Sequence, residues 1–173
     1  KRWTLNVNDV EYAWKHAVTN GAIPTIRPHA VKDENGIFVE AAIKLYDDAE
    51  IMFVNHDEYK GLFRPGFGEP VTHFEVESHE TGLKIIDHIV GNVRENEMNF
   101  WVDYMNASLS FETFVDFKPG DIGTQYSALL SKVVRSEDSV IRNPVNEPYK
   151  GLKKSQIEEY IEEFCGTGIQ LIA

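Results

Sequence analysis

The segment Leu83-Lys84-Ile85-Ile86-Asp87-His88-Ile89-Val90-Gly91-Asn92-Val93 runs, through Arg94-Glu95-Asn96-Glu97, into a stretch in which Met98, Trp101, Val102, Met105 and Leu109 recur at helical spacing. An apolar run of strand length, a short polar turn at Gly91-Asn92-Val93 and an amphipathic helix follow one another here. The same order opens the chain. Residues 3–7 read as a strand, Asn8-Asp9-Val10 as the turn, and Val10, Trp14, Ala17 and Val18 as the apolar stripe of a helix that stops at Asn20-Gly21. Asn8 followed by Glu11 resembles a capping box. After each helix come strand-like runs, so the chain reads as two copies of a β-α-β-β-β unit. A unit of that kind buries its sheet face only against another.

Working outward, strands are predicted over residues 3–7, 25–31, 37–45, 51–54, 85–90, 110–117, 127–134 and 169–173. Asp33-Glu34-Asn35-Gly36 and Tyr46-Asp47-Asp48 read as hairpin connections. A third helix carries Ile157, Tyr160, Ile161 and Phe164, enters through Ser155 with Glu158 three residues on, and ends at Gly166. Residues 59–70, rich in proline and glycine, read as a linker over the surface.

The 173 residues carry 17 Lys+Arg against 28 Asp+Glu, a formal net charge of -11. No basic stripe exists to displace phosphate counterions, which argues against nucleic acid as a partner. Every apolar run is broken well short of the roughly 18 residues a membrane helix needs. No targeting peptide is visible at the start. Cys165 is the single cysteine, so no internal disulfide can form and a reducing cytoplasm is the expected compartment. Among the carboxylates of its helix end, it is expected to be an inert, partly packed thiol.

Taken alone, His88 is more often a core histidine than a metal ligand. In strand alternation it shares a face with Ile86 and Val90, which would keep Asp87 from orienting its ring. His73 and His79 lie about 20 Å apart if extended, too far for one metal. Pro144-Val145-Asn146-Glu147-Pro148 reads as a rigid extended turn displaying Asn146, and Gln156 as a residue of a helix start.

Five motifs taken together say more. These are Asp87 through Val93; Gln125-Tyr126-Ser127-Ala128-Leu129 running into Ser131-Lys132-Val133-Val134; the Pro144–Pro148 stretch; Gly151-Leu152-Lys153-Lys154-Ser155-Gln156 with the following helix; and Gly168-Ile169-Gln170. In order and spacing they resemble the 4-hydroxyphenylpyruvate dioxygenase family. Phe63-Arg64-Pro65-Gly66-Phe67 resembles that family's connection between its two domains. The resemblance places the chain in the middle of the family's protein. Residues 1–70 would be the later module of the N-terminal domain plus linker, and 71–173 the first, incomplete module of the C-terminal, iron-bearing domain.

The resemblance implies an α+β, vicinal-oxygen-chelate fold of β-α-β-β-β modules with curved sheets. It implies Fe(II)-dependent oxidative decarboxylation and ring hydroxylation of 4-hydroxyphenylpyruvate to homogentisate, a step of tyrosine and phenylalanine catabolism. The partners would be a small aromatic 2-oxo acid and dioxygen, and a homo-oligomer is compatible with it. The family's metal is held by two histidines and a glutamate. His88 occupies the first histidine position, and Val90, Ser131, Asn146, Gln156 and Gln170 match residues lining the substrate pocket. Where the family has its second histidine this chain has Leu171, and the glutamate position lies beyond Ala173. Gly123 and Gln125 also depart from the family's motif. Two neighbouring readings follow: hydroxymandelate synthase, which shares the substrate, and a non-catalytic binding protein or fold fragment, which Leu171 favours.

Overall fold

A computed structural model describes residues 1–69, 82–117, 128–149 and 153–173. His73, His79, Gly123, the Gln125-Tyr126-Ser127 motif and Gly151-Leu152 lie outside the described residues. The first unit comprises β1 (Arg2–Asn6), α1 (Val10–Thr19), β2 (Pro24–Asp33), β3 (Gly36–Leu45) and β4 (Ala49–Asn55). Its strands lie in the order β1-β4-β3-β2, with β1 parallel to β4 and the other pairs antiparallel. The second unit comprises β5 (Ile89–Asn92), α2 (Met98–Leu109), β6 (Glu112–Phe117), β7 (Ala128–Arg135) and β8 (Arg142–Tyr149). Its order repeats the first: β5 is parallel to β8, with β7 and β6 beyond. The helix α3 (Gln156–Phe164) then delivers β9 (Gly168–Ile172) to the free side of β5. The repeat read from element order is therefore present strand for strand, and the α+β modules are as expected.

Local chemistry sets the boundaries. Asp9, not Asn8, caps α1, its Oδ1 accepting from the Tyr12 amide at 2.9 Å. Ser155 and Glu158 form the reciprocal capping box expected at α3. Cys165 ends α3 in the left-handed region, with φ 57°, and is exposed rather than partly packed, because the helix stops there. Among the described residues, no helix is long and apolar enough to cross a membrane.

Two strand assignments change. β5 begins at Ile89 and runs through Gly91 and Asn92, the residues read as a turn; Ile85 and Ile86 precede it and are exposed. The stretch read as a rigid turn around Asn146 is strand β8, paired on both sides. Prolines are disfavoured in a central strand because they cannot donate to the ladder. Here the Val93 amide donates to the Asn146 carbonyl at 2.8 Å, so the even-numbered residues of β8 direct their backbone groups toward β5. β5 pairs with β8 only at Val145 and Asn146. Pro144 and Pro148 flank that short contact, where no donor is called for.

One continuous core joins the two units. Trp3, Ile43, Leu45, Ile51 and Phe53 from the first sheet share one cluster with Val93, Val134 and Val145 from the second unit and with Trp101, Val102 and Met105 of α2. Tyr46, in the hairpin after β3, sits at the junction. It is fully buried, adopts φ 53°, packs edge-on to Trp101 with centroids 5.1 Å apart, and donates its hydroxyl to Asn143 Oδ1 at 3.2 Å. Burial pushes its phenol well above the ordinary value. Across from it, a Cβ added at Gly91 would stand 1.9 Å from the Tyr46 hydroxyl. The next residue, Asp47, bonds Arg94 Nη2 at 2.6 Å and the Thr167 amide at 3.0 Å, tying the first unit's hairpin to the α3–β9 turn.

Gly91→Ala should destabilise the chain more than Tyr46→Phe, which removes one buried hydrogen bond and should cost about 1–3 kcal/mol. Urea denaturation of the two variants checks the ranking. Equal, negligible losses would mean that the junction does not join the units.

Candidate functional site

The second sheet has two unlike faces. Asn143, Val145 and Glu147 of β8 turn toward the core, and the alternate residues Arg142, Pro144, Asn146 and Pro148 are less buried. On that second face the register aligns Ser131 of β7 with Asn146 of β8, and Asn146 with Asn92 of β5. The side chains connect: Asn146 Nδ2 donates to Asn92 Oδ1 at 3.4 Å, and Asn92 Nδ2 donates to Gln170 Oε1 at 2.7 Å. Gln170 reaches Asn92 because β9 is bulged between the Val90–Leu171 and Gly91–Ile169 pairs.

The result is a polar row across four strands, spanning about 14 Å at the usual strand spacing. Its amides form a chain with a direction, ending in the Gln170 NH2 at one side and the Asn146 carbonyl oxygen, beside Ser131, at the other. Asn92 is fully buried and Ser131 nearly so, which fixes the row in place. Three of its members, Ser131, Asn146 and Gln170, were singled out in the sequence. Asn92 was not, because it was read as a turn residue. An amide in a segment that continues an apolar run is the signal that would have found it.

The other candidates are placed differently. Val90 is buried in β5 beside this row. Gln156 is exposed at the first position of α3 and outside the hydrogen-bonded row. His88 lies just before β5, half-buried, with its backbone carbonyl accepting from the Ala173 amide at 3.0 Å. Contrary to the alternation argument, Asp87 does engage its ring, His88 Nδ1 and Asp87 Oδ2 standing 2.8 Å apart. Residues 82–88 are not in a strand, so the rule that puts neighbours on opposite faces does not apply there.

A carboxylate can only accept, so Nδ1 carries a proton in this contact, and Nε2 is the ring nitrogen left to face a ligand. Arg142 Nη1 bonds the other Asp87 oxygen at 2.7 Å. The hydrogen bond with His88 holds the Asp87 carboxyl below the usual carboxylate range, with the Arg142 charge acting the same way. A carboxylate on Nδ1 is the arrangement that orients a metal-binding histidine.

Its surroundings do not complete a metal site. Leu171 pairs with Val90 across the β5–β9 ladder and is 45% exposed. Its isobutyl group donates nothing to a cation. Among the described residues, no three His, Cys, Asp or Glu side chains gather to hold one. The residues present do not fit the two-histidine, one-glutamate iron centre that the resemblance implies.

No protein-family model matches the chain. Curated relatives do. The chain is 37% identical over 175 aligned residues to a 4-hydroxyphenylpyruvate dioxygenase of Dictyostelium discoideum, covering 98% of this chain and 47% of that protein. It is 39% identical to one from Yarrowia lipolytica, covering 98% and 44%, and 38% identical to one from Danio rerio, covering 96% and 43%. The chain thus spans about half the length of the curated relatives it matches.

Among solved structures, it superposes on a triple mutant of 4-hydroxymandelate synthase from Streptomyces coelicolor with a TM-score of 0.77 at 15% identity, covering 99% of this chain and 47% of that one. A fusion of a xylose isomerase-like TIM barrel with a 4-hydroxyphenylpyruvate dioxygenase gives a TM-score of 0.57 at 16% identity, covering 99% and 24%. These likenesses establish the fold.

Anaerobic titration of the chain with Fe(II) should reveal no tight one-to-one site, since His88 is the one family ligand position filled among the described residues. Leu171→His adds a second imidazole on the neighbouring strand and should raise the affinity measurably. A tight site in the unaltered chain would mean that other groups complete the shell.

Proposed function

Starting from a chain that is homologous, along nearly its whole length, to a portion of the 4-hydroxyphenylpyruvate dioxygenases, we propose that it forms the part of such a protein that grips the aromatic 2-oxo acid. Residues 1–70 would be the later module of the N-terminal domain with its linker, and 71–173 the opening module of the iron-bearing domain. The reaction assigned to the whole protein is oxidation of 4-hydroxyphenylpyruvate to homogentisate with dioxygen, in the cytoplasm. The observation that carries this reading is the directed polar row.

4-Hydroxyphenylpyruvate has a phenol at one end and a keto acid at the other. The acceptor end of the row, Asn146 Oδ1 beside the Ser131 hydroxyl, suits the phenol O–H. The donor end, Gln170 Nε2, suits the carbonyl or carboxylate oxygens, on the side of the sheet where His88 and Val90 stand. Because Asn92 holds both neighbouring amides, the row is oriented before the ligand arrives, and little side-chain entropy is lost on binding. Gln156 would join only if its exposed side chain folds in over the ligand. The metal-dependent steps would need donors that this stretch of chain does not supply.

Leu171 favours a second reading, in which the chain binds the oxo acid without turning it over. Both readings require the row; only the first requires iron ligands elsewhere in the protein.

Calorimetric titration with 4-hydroxyphenylpyruvate in the presence of a chelator tests the row without the metal. Ser131→Ala and Asn146→Leu should each weaken binding about tenfold, the equivalent of about 1.4 kcal/mol. Phenylpyruvate, which lacks the phenol oxygen, should bind the unaltered chain about as weakly as the variants bind the phenol. Equal affinity for the two oxo acids would overturn the assignment of the acceptor end.

A further inference from the structure

The first sheet has its own cavity, on the face turned away from the shared core. Phe38 of β3 and Met52 and Val54 of β4 form its floor, each nearly fully buried. The segment after Tyr59 crosses above them, and its Phe63 and Phe67 rings, edge-on with centroids 5.1 Å apart, form a roof that is half exposed to solvent. About 250 Å³ lies between floor and roof. That is below the 300–1,000 Å³ of common drug-sized pockets and suits a single small ring.

Arg2, Thr4 and His56 also line this space, and two oppositely charged groups meet in it. Glu40, 4% exposed, comes from β3, and Arg64 from the roof segment. They meet through one atom each, Arg64 Nη2 to Glu40 Oε1 at 3.0 Å, and the same Oε1 has His29 Nε2 at 3.4 Å. Glu40 Oε2 and Arg64 Nε are both buried and find no hydrogen-bond partner among the described residues. One is an acceptor and the other a donor, and an unpaired buried polar group of this kind costs about 1–3 kcal/mol.

We propose that this cavity binds a small uncharged phenol, its hydroxyl donating to Glu40 Oε2 and accepting from Arg64 Nε–H. Three features select that chemistry. The charged groups are already paired, Glu40 with Arg64 and Arg2 with Glu50, so an ion entering the cavity would lack a counter-charge. The unpaired atoms are one donor and one acceptor, and a hydroxyl answers both from a single oxygen. The walls are aromatic: Phe38 packs edge-on against His56 with centroids 4.9 Å apart, and beneath Phe63 and Phe67 a third ring has room for the same geometry. Neither atom is open to the cavity as the side chains stand, so a bound hydroxyl requires the Arg64 side chain, 27% exposed on the roof segment, to shift; a water admitted the same way would leave the apolar floor without contacts. The site lies on the other sheet from the polar row, so its test and the test of the oxo-acid reading are independent.

Saturation-transfer NMR and calorimetry with 4-methylphenol, 4-methylanisole and toluene test the proposal. 4-Methylphenol should bind one-to-one. Toluene, which has neither polar function, and 4-methylanisole, which can accept but not donate, should each bind at least tenfold more weakly. Thr4→Trp places a bulky ring at the cavity mouth from the exposed edge strand β1 and should abolish binding. Phe67→Ala, which removes an already exposed roof ring, should weaken it severalfold and serves if the first variant fails to fold. Equal affinity for the three compounds would overturn the hydroxyl assignment. Binding indifferent to both variants would place the ligand elsewhere. No binding at millimolar concentration would mean that Glu40 and Arg64 close on each other or hold only water, and the proposal would fail.

Discussion

The architecture turns on the contact between Tyr46 and Gly91. A tyrosine in the left-handed region is an expensive choice for a hairpin, costing of order 1–3 kcal/mol of backbone strain. What offsets it is position: the ring is fully buried against Trp101, and its hydroxyl reaches Asn143 in the opposite sheet. That reach is available only because Gly91 has no side chain. The contact sets how closely the first unit approaches β5. Asn92, which follows Gly91, anchors the polar row, and Asn143, which accepts from Tyr46, also donates to the Ile89 carbonyl at 2.7 Å. The hairpin of one unit therefore helps to hold the site-bearing strand of the other.

Much of this was legible in the residues. The helical stripes of Met98 to Leu109 and Ile157 to Phe164 mark α2 and α3, and the repeated order of strand, turn and helix gives the paired units. What misled was chemistry that tertiary context overrides. Prolines at 144 and 148 argue for a turn, yet they sit where a short neighbouring strand asks for no donors. Gly91-Asn92 argues for a turn as well, yet the glycine is there for Tyr46 and the asparagine for Gln170. Strand alternation separated Asp87 from His88, but the backbone there is not a strand. The site residues were named through the family resemblance. Spacing alone could not have aligned Ser131, Asn146 and Gln170, because their convergence depends on register and on a bulge in β9.

The row and the metal position carry opposite messages. Asn146, Asn92 and Gln170 are hydrogen-bonded in series with Ser131 aligned beside Asn146, and the row runs from buried Ser131 and Asn92, through half-buried Asn146, to exposed Gln170, a held base with an open end. His88 has an orienting carboxylate, and that carboxylate has its own cation in Arg142, which is more support than a surface histidine requires. Yet the neighbouring strand presents Leu171. On the proposed function, recognition of the oxo acid and activation of dioxygen would be separable: the first would rest on the polar row, the second on donors that the described residues do not present.

The most direct test is an NMR titration of the side-chain amides of Asn92, Asn146 and Gln170 with 4-hydroxyphenylpyruvate, in a metal-free sample. All three resonances should shift together along one saturable isotherm, while exposed asparagines such as Asn20 stay still. If those amides do not respond, or respond only after Fe(II) is added, the polar row is not a preformed grip for the oxo acid and the account is wrong.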